Sequence, residues 1–217
     1  MVKPFIRNHQ YNLIKKQAGT LQHACNTVSD PKVLEAVKYS AQAKIIEAFT
    51  DLSALEKQKL EQISTLQTTE EFQQYLRSLE PYLAEFAQLT ENQLKKLFPK
   101  NKKLKVPNVA AIDHRYVTYL GWTDIATNKL FIVYHLNGQL VGVEGKYTLA
   151  NRKSTCFLCN RNEEVALFSA ITKSKPANSS PDYYKAIGNY MCVNSDACNK
   201  NITDVTPLEK FIQAVVG

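Results

Sequence analysis

Cys156-Phe157-Leu158-Cys159 sets two thiols on one tight knuckle, and Cys192 and Cys198 answer it from further down the chain. Thiols at such spacing can close on a single ion, and four soft thiolates make a tetrahedral zinc site with no open position for water or substrate. An ion held in this way stabilises a fold and does no chemistry itself, so function must lie on the surface that it orders. Two disulfides, or a redox Cys-x-x-Cys with unrelated cysteines downstream, are the alternatives. Disulfides need an oxidising compartment, yet Met1 to Gln10 has no apolar signal core and the fifth cysteine, Cys25, has no evident mate. A redox pair usually opens a helix, whereas here charged Arg161, Glu163 and Glu164 lead into Val165-Ala166-Leu167-Phe168, which reads as a strand. The expectation is one structural Zn2+ on Cys156, Cys159, Cys192 and Cys198, in a cytoplasmic chain with reduced thiols.

Other chemistry is not evident. The sequence has no phosphate-binding Gly-x-x-x-x-Gly-Lys loop, no Gly-x-Ser-x-Gly elbow and no His-Glu-x-x-His helix, and its seven glycines are few for cradling phosphates. His9, His23, His114 and His135 are scattered, and the pairs Glu70-Glu71 and Glu163-Glu164 suit a helix start and a turn. No enzyme is expected. The net charge is +7, with thirteen Lys and Arg against eleven Asp and Glu in residues 1–100 and fourteen against nine beyond. The excess lies in the half that carries the paired cysteines. It favours acidic partners, either nucleic acid or an acidic protein face, or serves solubility alone. No apolar run approaches a membrane span.

The elements that must position the cysteines follow from periodicity. Tyr11, Ile14, Ala18, Leu21 and Cys25 recur at helical spacing, which makes Cys25 a core residue. Asp30-Pro31 opens a second helix with the stripe Leu34, Val37, Ala41, Ile45 and Phe49. Ser53-x-x-Glu56 and Thr68-x-x-Glu71 are capping boxes for two more, the last carrying Phe72, Tyr75, Leu76 and Leu79 and ending at Pro81. Thr90-x-x-Gln93 caps a short helix before the basic cluster Lys100, Lys102, Lys103 and Lys105, which is either a solvated junction or a contact for phosphate or an acidic face. Strands are then predicted over Tyr116–Leu120 and Leu130–Leu136, with Asn137-Gly138 turning into Leu140–Val143. Gly121-Trp122 falls at a bend between the first two, the indole packing in a core or corner first and serving as a contact residue second. After Cys159 a strand runs through Phe168. The polar segment from Thr172 to Pro181 reads as a mobile loop, and Tyr183–Met191 returns as a strand into Cys192. Thr206-Pro207-Leu208-Glu209 reads as a capping box for a terminal helix burying Leu208, Phe211, Ile212, Val215 and Val216.

The fold class expected is α+β. A four-helix-type bundle over residues 1–84 precedes an antiparallel sheet domain over 85–217. Its zinc-binding part, about 152–217, combines knuckle, hairpin, second ligand pair and terminal helix as a variant treble clef, the gap between Cys192 and Cys198 being wider than usual.

The chain resembles the FusB-type fusidic acid resistance proteins, or elongation factor G-binding proteins, over nearly its whole length. The stretches that carry this are His9-Gln10-Tyr11-Asn12, Lys102-Lys103-Leu104-Lys105-Val106-Pro107, Gly121-Trp122 with Ala126 and Asn128, Leu140-Val141-Gly142 with Gly145, Cys156-x-x-Cys159-Asn160, and Gly188-x-Tyr190-x-Cys192-x5-Cys198-Asn199-Lys200. The resemblance implies a chain that binds translation elongation factor G, one to one and transiently on the ribosome. It implies release of the factor from ribosomes stalled by fusidic acid, with the drug left unmodified. It makes the four paired cysteines the zinc ligands and puts the partner surface around Tyr190. Thr155 and Ile187 stand where the family pattern has an aromatic and a lysine, which leaves Lys185 or Arg152 to supply the charge, with Tyr184 beside them. The rival readings are a basic zinc-finger protein that binds RNA or the ribosome directly, and a metal-stabilised adaptor for another protein.

Overall fold

The computed structural model describes residues 3–173, 180 and 184–217. Most of the polar loop after Lys173, and Tyr183 of the strand expected to follow it, lie outside the described residues. The chain divides into two compact units, Met1–Ala84 and Glu85–Gly217.

The first unit is helical. α1 (Asn8–Thr27) buries Tyr11, Ile14, Ala18 and Leu21 along one stripe, while α2 (Pro31–Glu47) starts on the side chain of Asp30, which accepts the Lys32 amide at 2.9 Å. The stripe of α2 is narrower than expected. Only Ala41 and Ile45 are fully buried, Leu34 and Val37 are half-buried, and Phe49 lies past the helix end with its ring 6.0 Å from that of Phe5. Cys25 also sits at the margin of the core and not within it; it is half-buried, with its Sγ 4.0 Å from the Leu66 carbonyl. Both expected capping boxes form. The Ser53 hydroxyl accepts from the Glu56 amide ahead of α3 (Ala54–Glu61), and Thr68 does the same for Glu71 ahead of α4 (Thr69–Leu79). α4 contributes Phe72, Tyr75 and Leu79 to the core, and the Tyr75 hydroxyl donates to the Leu60 carbonyl at 3.0 Å. Glu80–Tyr82 then turns as a 3-10 helix and Ile6 pairs with Leu83, so the two ends of the unit are joined by backbone bonds.

The second unit is a five-stranded antiparallel meander in the order β1 (Leu120–Asp124), β2 (Lys129–Leu136), β3 (Gln139–Thr155), β4 (Asn162–Ile171), β5 (Ala186–Cys192). β2 is an almost continuous apolar run because both its faces are covered. Phe131 and Val133 point into a cluster with Phe86, Leu89, Leu94 of α5 (Glu91–Leu97), Phe98, Leu104 and Leu120. Leu130, Ile132, Tyr134 and Leu136 point into a second cluster that holds the four paired cysteines and Leu208, Phe211, Ile212 and Val215 of α7 (Thr206–Val216). Asn137 and Gly138 carry φ of 51° and 79°, the positive pair that a tight hairpin needs. Among the described residues no helix is long and apolar enough to cross a membrane.

Three local readings are corrected. The strand expected over Tyr116–Leu120 starts only at Leu120, so Gly121 and Trp122 lie inside β1 and not at a bend. His114–Tyr116 instead forms a 3-10 turn capped by Asp113, and the amides of Thr118 and Tyr119 are taken by the Asn199 side chain at 2.9 and 3.2 Å, leaving none for a ladder. The Trp122 indole stacks 5.2 Å from Phe131 and donates to the Lys105 carbonyl at 3.0 Å, a packing role. β3 runs far beyond Val143, to Thr155, with a register shift between Leu149 and Lys153 and Asn151 at φ 53°. Finally, Thr206 is the first residue of α7 and caps nothing; Asp204 accepts its amide at 2.9 Å.

Candidate metal centre and docking face

β3 ends at Thr155 and delivers Cys156 into a knuckle. The Cys156 amide donates to the Arg161 carbonyl at 2.9 Å, the Asn160 amide donates back to the Cys156 carbonyl at 3.0 Å, and Asn160 takes φ 56° to complete the turn. Cys192 closes β5. Cys198 comes from a short helix, α6 (Ser195–Asn199), started by the Asn194 side chain, which accepts the Asp196 and Ala197 amides. This explains the wide second gap: strand end, turn and one helical turn separate the two ligand positions.

All four cysteines are buried, and their Sγ atoms lie within 4.8 Å of one another. Cys156 and Cys198 are 3.8 Å apart and Cys159 and Cys192 3.6 Å. A tetrahedron with metal–sulfur bonds of about 2.3 Å has edges of about 3.8 Å, so the donors stand where zinc would need them. The amides of Leu158 and Cys192 each point at Cys156 Sγ from 3.4 Å, as donors to a thiolate. Left to themselves the thiols share protons unequally. Hydrogen bonds with Cys159, Cys192 and Cys198 hold the Cys156 thiol far below its ordinary pKa, while hydrogen bonds with Cys156 first, then Cys159 and Cys192, hold Cys198 far above. Cys156 and Cys159 are pushed down and Cys192 and Cys198 up, and a dication is the charge that would let all four ionise.

Two family models match in succession. Residues 5–87 match the elongation factor G-binding protein N-terminal model, and residues 96–213 match the FBP C-terminal treble-clef zinc-finger. The chain belongs to this FusB-type, elongation factor G-binding family. A solved structure of the fusidic acid resistance protein FusC is similar at a TM-score of 0.77 and 27% identity, over 97% of each chain. No curated protein matches the sequence. The helical unit, the antiparallel sheet and the four-cysteine cluster are thus the family's architecture.

Around the cysteines the family's zinc-finger unit presents an open sheet face. Tyr190 on β5 is 46% exposed and pairs across the sheet with Leu167 of β4, itself 38% exposed, which pairs in turn with Thr148 of β3. The Tyr190 carbonyl accepts the Phe157 amide at 2.9 Å, so the knuckle is fastened to the strand at this residue. The other expected contacts are spread out. Arg152 is exposed in the irregular stretch of β3 next to Lys153, which pairs with Glu164. Lys185 and Tyr184 are exposed before β5, next to Ala186, which pairs with Ile171. Their partners on β4, Glu164 and Ile171, are seven positions apart, about 24 Å of strand. Ile187 is half-buried against the core on the side away from Tyr190. Leu167 was missed by sequence reasoning, although alternation within β4 identifies it as outward-facing once the sheet is known.

Proposed function

We propose that this chain binds translation elongation factor G through the open face of its zinc-finger unit and promotes release of the factor from ribosomes, protecting them from fusidic acid. The observation that carries this reading is the pair of family models lying in order over residues 5–87 and 96–213 of one chain. The likeness to FusC over 97% of both chains supports the resistance role. In this reading Cys156, Cys159, Cys192 and Cys198 hold one structural zinc ion. The ion keeps the knuckle closed, and the knuckle, through the Phe157 amide, keeps β5 and Tyr190 in place. A preordered face loses less conformational entropy on docking. Release then needs only differential affinity: a protein that binds better to the departing conformation of the factor shifts the population toward it.

The test is titration of the purified chain against isolated elongation factor G and against ribosomal RNA fragments at several salt concentrations, followed by release of the factor from fusidic acid-stalled ribosomes. Saturable one-to-one binding to the factor, with accelerated release, is expected. Binding to RNA alone, collapsing steeply with salt, would replace this reading with the nucleic-acid one.

A further inference from the structure

Tyr119 is fully buried and belongs to the cluster that contains all four paired cysteines. Its backbone is fastened to the residue next to Cys198. Asn199 accepts the Tyr119 amide at 3.2 Å and donates to the Tyr119 carbonyl at 2.9 Å. Its ring lies across Gly121, where a Cβ would stand 2.6 Å from Cε2, so only glycine admits it. The Ser195 hydroxyl donates to the Gly121 carbonyl at 2.7 Å and closes the same corner from α6. Among the described residues the phenol so confined has no partner in hydrogen-bonding geometry, and of the cysteine side chains around it Cys198 interacts with it most strongly, ahead of Cys156 and Cys192. A buried hydroxyl without an acceptor is costly, and a thiolate is an acceptor that appears when the cysteines ionise around a metal.

We propose that Tyr119 is a positioning residue of the metal centre, its hydroxyl donating a hydrogen bond to the Cys198 thiolate when the ion is bound. Gly121 and Asn199 are explained by the same arrangement: one makes room for the ring and the other ties it to the fourth ligand. The inference rests on the zinc reading above.

The test compares the full-length protein with Tyr119→Phe and with Tyr134→Phe, which removes another hydroxyl of the same core, one that donates to Glu209 at 2.7 Å. Competition with a chelator gives zinc affinity, and cobalt(II) substitution gives the sulfur-to-metal charge-transfer band. Tyr119→Phe is expected to weaken zinc binding about 10- to 100-fold, the range for loss of such a supporting bond, and to move the band to longer wavelength as the sulfur loses its donor. Tyr134→Phe is expected to change neither. Site-specific 3-fluorotyrosine at 119, which retains the ring and acidifies the hydroxyl, is expected to shift the band the opposite way, and it decides the matter should the phenylalanine variant not fold. Wild-type affinity and an unmoved band in Tyr119→Phe, or no shift from the fluorinated residue, overturns the proposal and leaves the zinc reading standing. Wild-type protein that takes up neither zinc nor cobalt overturns both.

Discussion

At the scale of single residues, Tyr190 separates two ways in which a side chain can matter beside a metal site. The knuckle is fastened to its carbonyl, not to its ring, and the ring is half exposed beside Leu167. Truncation to alanine therefore keeps the bond to Phe157 and removes only the outward aromatic surface. Tyr190→Ala is expected to weaken binding to elongation factor G about tenfold or more, as removal of an interface anchor does, with zinc content unchanged. Calorimetric titration together with elemental analysis checks both halves, and zinc lost along with affinity would make the ring a packing element. The cysteines were legible in the sequence because their spacing is a local property. Asn199 was not, because the backbone that it clamps lies 80 residues away along the chain.

At the scale of elements, the starts of α3, α4 and α5 were legible because a capping box is written in four consecutive residues, whereas the similar pattern at Thr206 caps nothing. The Glu71 carboxylate accepts the amides of Gln67 and Thr68, and these bonds, Gln67's first, hold its pKa below the ordinary value. A depressed folded-state pKa means that this contribution to stability is fully present above the unfolded carboxylate's value and is lost as pH falls through the folded one. An NMR titration of Glu71 is expected to show that depression, and to show it still in Thr68→Ala, which keeps both donating amides. The same variant is expected to lose about 1 kcal/mol of stability in chemical denaturation. The second half of β3 was illegible for the opposite reason. Leu149-Ala150-Asn151-Arg152-Lys153-Ser154-Thr155 has no sustained alternation, and it is a strand only because β4 pairs with it on either side of an irregularity. β1 was misplaced by the same blindness, since Thr118 and Tyr119 have strand-like side chains whose amides a distant asparagine has already taken.

At the scale of the molecule, the chain divides into two compact units, and all four paired cysteines lie in an apolar cluster of the second. Removal of the ion should therefore be a local event. Treatment with a strong chelator is expected to collapse the dispersion of backbone amide signals from about Thr155 to Ile202, where knuckle, strand end and α6 converge, while signals of α1 to α4 hold their positions. Binding to elongation factor G should fall in parallel. A chelated protein that retains both its signals and its affinity would show that the sheet face needs no metal to keep its shape.

The double covering of β2 carries a kinetic consequence. Its amides are hydrogen-bonded to neighbours on both edges, and its side chains are sealed from above and below. Water reaches Ile132, Val133 and Tyr134 only when both apolar layers part together. In deuterium these amides should therefore exchange last in the second unit, at a rate set by its global opening.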